Sequence, residues 1–142
     1  IGMYGYGEDF VKPALSLVGF VVRVSRINTG ESVGYNAKYI AVKPTYIATL
    51  SLGYADGIAR KSTGGEVIIN GKKRKMVGNV CMDYCFAVVD EKTRRGDEVI
   101  FIGESGGERI TAEDIAKKEN TICYEVLTRL KRIKRKYVRS IL

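Results

Sequence analysis

The chain has 142 residues, 45% of them hydrophobic and 28% charged, a balance that supports one folded domain and excludes disorder. No apolar run nears the ~18 residues needed to cross a bilayer. There is no histidine at all, so Ser-His-Asp and Cys-His catalysis cannot be assembled from this chain alone. The net charge of +8 gathers in GKKRKMVG and TRLKRIKRKYVR. It permits attraction to a polyanion, yet no zinc-finger, helix-turn-helix or RNA-binding signature accompanies it, and nucleic acid is not an expected partner.

In chain order, ALSLVGFVVRVSRI (14–27) alternates toward its end as a half-buried strand should, and its valines suit a sheet. NTGES is a turn. PTYIATLSLGY (44–54) reads as a second strand with Pro44 at its entry, where a missing N–H does least harm. GEVIINGKKRKMV predicts a hairpin, because Asn70-Gly71 favours the positive φ that a two-residue turn requires. VCMDYCFAVVD and DEVIFIG read as further strands around a loop at 92–96. Thr111 and Asp114 form an approximate capping box, with Asp in place of the preferred Glu. Two short helices follow around Asn120, and RKYVRSIL suggests a last strand. The expectation is a mainly β fold: a small β-barrel-like domain of short strands with one or two short helices near the C-terminus.

Three cysteines form no disulfide framework. If residues 80–89 are one strand, Cys81 and Cys85 share a face about 13 Å apart at ~3.3 Å per residue, beyond the ~7 Å that a disulfide spans. One C-x3-C pair without histidine offers too few ligands for zinc, so no metal is expected. The thiols read as buried residues of a cytoplasmic protein. Nine tyrosines and no tryptophan make the phenols conspicuous. Tyr35 and Tyr54 each follow a glycine where a strand gives way to a loop, and loops on a rigid sheet are where function concentrates. Residue chemistry alone stops at a β domain without an evident activity.

Motif order goes further. VGYNAKY, SLGYADG and GNVCMDY, with MYGYG at the start and TICYEVLTRL near the end, together resemble the C-terminal β domain of bacterial alanine racemases, nearly end to end. The resemblance implies a pyridoxal-phosphate isomerase built from an N-terminal (β/α)8 barrel and this domain. It works as a homodimer in which the β domain of one subunit closes the other's active site. On that match residues 1–10 are the residual end of the barrel or its linker, and 11–142 are the β domain. The chain, which lacks an initiator Met, looks like a piece of a longer protein. The lysine that holds the cofactor lies outside it, so the isolated piece is expected to be inactive.

The resemblance also assigns roles to residues. Tyr35 matches the tyrosine base that works opposite the cofactor lysine. An isolated phenol titrates near 10, and bringing one to 7 takes roughly 4 kcal/mol of stabilisation of the anion; in the family, a histidine and an arginine of the facing barrel sit near this tyrosine. Met82 matches a residue whose backbone N–H binds the substrate carboxylate. Tyr124 and Ile1 match residues that reach the cofactor phosphate. Tyr54, Arg60 and Asp83 match residues at the substrate entrance, although turn-fixing or simple solvation explains Arg60, Asp56 and Asp83 almost as well. Asn79 stands where many relatives carry arginine. The basic tail lacks the proline often found before the final strand. Alanine is the implied amino-acid substrate. Serine is the alternative, since the family includes serine racemases, some with a membrane domain; a non-catalytic β module binding a polyanion is the other reading.

Overall fold

The structure, a computed structural model, describes residues 13–130, 132–134 and 136–137. Local turn chemistry sets the hairpin at Asn70-Gly71. Asn70 and Gly71 both adopt left-handed backbone (φ 52° and 70°), the conformation that matches the twist of paired strands. They join β5 (Glu66–Ile69) to β6 (Lys72–Val77) with Ile69 opposite Lys72. The remaining long strands are β1 (Leu17–Ile27), β4 (Thr45–Leu50), β7 (Cys85–Val89) and β8 (Glu98–Ser105).

Strand β1 is long enough to pair twice. Its first half runs antiparallel to β8, with Phe20 opposite Glu98, and its second half runs antiparallel to β4, with Ile27 opposite Thr45. A register shift at Val21/Arg23 falls where it passes from one partner to the other, and a second lies at its start, at Leu17/Val18; such bulges bend a strand. The sheet therefore runs β1-β4-β7-β6-β5-β8 and returns to β1, an antiparallel ring without a free long edge. Strand β9 (Glu108–Ile110) adds to β8 outside the ring, and β2 (Ser32–Val33) pairs with β3 (Tyr39–Ile40) as a separate ribbon. The mainly β, barrel-like expectation holds.

Alternation along the strands fills two environments. Ala48, Leu50, Val67, Ile69, Cys85, Ala87, Val99 and Phe101 share the main buried cluster. The intervening apolar residues form two outer clusters. Val33, Ile47 and Val77 pack with Tyr39 and Phe86, so the β2–β3 ribbon covers that patch. Ile68, Ile100 and Ile110 pack with Val18 and Ile115 beneath β9 and α1 (Ala112–Glu119). Helix α2 (Cys123–Thr128) adds Val126 to the main cluster. No helix among the described residues is long and apolar enough to cross a membrane.

The capping box of α1 is complete despite its Asp. The Asp114 N–H donates to Thr111 Oγ1 at 3.1 Å, and the Thr111 N–H donates to Asp114 Oδ2 at 2.8 Å. Partial burial opposes ionisation of Asp114, but the Thr111 hydrogen bonds, together with the Lys117 and Lys73 charges, outweigh it and hold the carboxyl below its ordinary range. A depressed folded-state pKa gives stability that is full above the unfolded value, near 4, and is lost as pH falls through the folded value. Thr111→Ala is therefore expected to cost about 1 kcal/mol at pH 7. Urea unfolding should show the gap to wild type narrowing toward pH ~3.

Several expectations need correction. Residues 80–84 are not strand: the Cys81 N–H donates to the Tyr84 carbonyl at 2.8 Å, closing a turn before β7 begins at Cys85. The extended ~13 Å spacing of Cys81 and Cys85 therefore does not apply, although both remain free thiols. Burial pushes the Cys85 thiol far up, and the neighbouring Cys81 sulfur adds to it. The strand expected over 14–27 starts at Leu17, and the one over 44–54 stops at Leu50. Strands β2, β3 and β9 had no counterpart in the sequence reading. The last strand proposed in RKYVRSIL lies almost wholly outside the described residues, as does the boundary at residue 10.

Candidate active site

Three loops converge, and hydrogen bonds fix their order. The first joins β2 to β3 and carries Tyr35 at the start of a tight turn, Tyr35–Ala37, whose Asn36 and Ala37 backbone is left-handed. The second follows β4 and carries Tyr54 on another, Tyr54–Asp56. Asp56 has the turn-fixing role, its Oδ2 accepting the Gly53 N–H at 3.0 Å. The third, between β6 and β7, carries Met82 and lies between the other two. Its Cys81 and Met82 carbonyls accept the N–H groups of Tyr54 and Ala55, each at 2.9 Å. On its other side, Asn79 Nδ2 donates to the Tyr35 carbonyl at 2.9 Å.

Glycines allow this approach. A side chain at Gly53 would collide with the carbonyls of Cys81 and Met82. Gly78, at φ 68°, passes so close to β2 that a Cβ there would sit 2.9 Å from the Val33 carbonyl oxygen. The residues so presented face outward: Tyr35 is 72% exposed, Met82 53% and Tyr54 47%. Three residues expected from the sequence, Tyr35, Tyr54 and Met82, thus lie on adjoining loops.

The others are spread more widely. Tyr124 is partly exposed in the first turn of α2, and its hydroxyl makes no hydrogen bond with the described residues. The C-terminal end of that helix abuts the second loop, where a Cβ on Gly57 would lie 2.7 Å from the Arg129 carbonyl oxygen. Arg60 is exposed, Asp83 is half-buried, and no ion pair joins them among the described residues. Ile1 lies outside the described residues. Sequence reasoning missed Asn79 as a structural link, because its side chain reaches 44 positions back along the chain. It also passed over Tyr84 and Ile122, large exposed residues two positions from Met82 and Tyr124 along the chain.

A half-open pocket of about 520 Å³ lies elsewhere, between the ring and the helices, lined by Ile58, Met76, Phe101, Val126 and Arg129 among others. None of the six expected site residues within the described residues lines it. No group of His, Cys, Asp or Glu among the described residues is arranged to hold a metal.

Fold and loops together define a class: an antiparallel β domain whose expected site residues offer an outward face of phenol and thioether groups. The particular family follows from the chain as a whole. Residues 14–137 match the family described as alanine racemase, C-terminal domain, and the chain belongs to that family. It is 45% identical over 117 residues to the alanine racemase of Streptococcus gordonii, covering 82% of this chain and 32% of that protein. The crystal structure of alanine racemase from Oenococcus oeni superposes with a TM-score of 0.88 at 30% identity, over 92% of this chain and 36% of that one. A histidine racemase from Leuconostoc mesenteroides superposes with a TM-score of 0.78 at 30% identity, over 82% of this chain and 32% of that one. The chain spans about a third of the length of these relatives.

Proposed function

We propose that this chain is the C-terminal domain of a pyridoxal-phosphate-dependent amino-acid racemase acting on alanine. It supplies a tyrosine base and closes the active site of a partner subunit in a homodimer. The carrying observation is the outward presentation of Tyr35 beside Tyr54 and Met82 on one set of hydrogen-bonded loops. Packing residues bury their rings, so a phenol 72% exposed on a braced loop supports a role outside its own domain.

The cofactor, when bound, supplies an electron sink for the pair left at Cα when its hydrogen departs as a proton. Inversion then needs proton removal on one face and proton return on the other. In this reading Tyr35 Oη takes or returns the proton on one face, and the cofactor lysine outside this chain serves the opposite face. The Met82 N–H binds the substrate carboxylate. Tyr124 fits a cofactor contact: its ring is exposed, and its hydroxyl, which has no hydrogen-bond partner among the described residues, would reach a phosphate oxygen. Tyr54, Arg60 and Asp83 border the approach. The histidine-racemase relative shares the fold, which supports assigning the choice of substrate side chain largely to the barrel and not to this domain.

The test compares this chain alone with the full-length protein carrying it. With pyridoxal phosphate present, the full-length protein is expected to interconvert the alanine enantiomers and the isolated domain to show no turnover. Racemisation by the domain alone, or none by the full-length protein, would refute the reading.

A further inference from the structure

We propose that Asn79 is a positioning residue for Tyr35, holding the backbone from which the phenol projects in register with Met82. The inference rests on the reading of Tyr35 as a base. The Tyr35 ring is mostly exposed, so packing of the ring does not fix its direction; the loop backbone has to. That backbone is unusual. Gly34, Asn36 and Ala37 all have positive φ, at 73°, 62° and 47°. For a residue with a Cβ such as Ala37, the left-handed region costs on the order of 1 kcal/mol. A loop in this conformation relaxes unless its surroundings hold it. The flanking ribbon is too short for the task, since β2 and β3 have two residues each.

Asn79 supplies the hold. Only 8% of it is exposed, so its amide has exchanged water for protein partners, and its N–H donates to the Tyr35 carbonyl at 2.9 Å. Only the NH2 end of an asparagine side chain can face a carbonyl oxygen this closely. The backbone of the same residue forms part of the seat of Gly34, where a Cβ would come within 3.5 Å of the Asn79 nitrogen. Two residues on, Cys81 and then Met82 bind the Tyr54 loop through their carbonyls. Residues 79–82 thus act as a splint with Tyr35 on one side, Tyr54 on the other and Met82 in its own span. Without the Asn79 amide, the proton-transfer group and the carboxylate-binding N–H are no longer held at a fixed separation.

The test is a double-mutant cycle in the full-length holoenzyme with Asn79→Ala, Tyr35→Phe and the pair. Asn79→Ala is expected to lower kcat by ~10- to ~100-fold, the range that displacement of a reacting group produces, with KM within about threefold of wild type. In the Tyr35→Phe background it should cost less than about twofold more, because a residue acting through Tyr35 has nothing left to position. Should Asn79→Ala not fold, the near-isosteric Asn79→Leu carries the same cycle. Losses that multiply independently, or wild-type kcat in the Asn79 variant while Tyr35→Phe is clearly impaired, would overturn the role of Asn79 alone. A Tyr35→Phe enzyme as active as wild type would instead overturn the assignment of Tyr35.

Discussion

Tyr35→Phe in the full-length enzyme is expected to lower racemisation by ~100- to ~10,000-fold, the usual worth of a positioned acid–base group. The loss should appear equally in kcat/KM for both directions of net racemisation, because the equilibrium between enantiomers is fixed by their symmetry. Exchange of the α-hydrogen with solvent should behave differently. The base on the opposite face still serves one enantiomer, which keeps exchanging, while the other nearly stops. Deuterium incorporation into each enantiomer, followed by NMR, reads this asymmetry directly. Equal exchange from both enantiomers would mean that Tyr35 does not work on one face. Stability provides the control: the ring is exposed, and such surface substitutions usually stay within about 0.5 kcal/mol.

Arg129→Met is expected to produce the largest loss of stability. Glu119 closes α1 with its side chain 2% exposed, against 26% for Arg129. Its carboxylate accepts from Arg129 Nη2 and from Ser62 Oγ, both at 2.5 Å. This one group ties α1 to α2 and to the turn that follows the Tyr54 loop. Removing the arginine leaves a buried carboxylate with one hydroxyl for a partner, a change that typically costs about 3–5 kcal/mol. The partial exposure of Arg129 places the expectation near the lower figure, about 3 kcal/mol. The double variant Arg129→Met, Glu119→Leu should recover much of that, since an apolar pair buries no lone charge. Urea midpoints of the wild type and of both variants decide it. A double variant as unstable as the single would show that the cost lies in packing and not in the stranded charge. Because the Arg129 carbonyl also abuts Gly57, the single variant should loosen the Tyr54 loop as well.

Features of the fold that were legible in the sequence are those settled within a few residues. Asn70-Gly71 announced its hairpin because the turn's left-handed backbone is a local preference. Thr111 and Asp114 announced a helix start because they cap each other's N–H groups, and Asn120 ended that helix in the left-handed conformation. The stretch 80–84 misled because its alternation looks like strand, whereas the Tyr54 loop accepts a different use of its carbonyls. Strands of two or three residues have no pattern of their own: β2 pairs locally with β3 and β9 with the end of β8, but the apolar residues they cover come from distant strands.

The same division runs through the site. Residue identities and motif order by themselves determined the family, the phenols worth attention and the absence of any imidazole to help them. Tertiary structure alone decided that β1 bridges β4 and β8 to close the ring, that loops starting near residues 34, 51 and 78 meet, and that Asn79 grips Tyr35. Those outcomes depend on pairings between residues tens of positions apart, whose energies arise only once the chain has brought them together. No local preference encodes them.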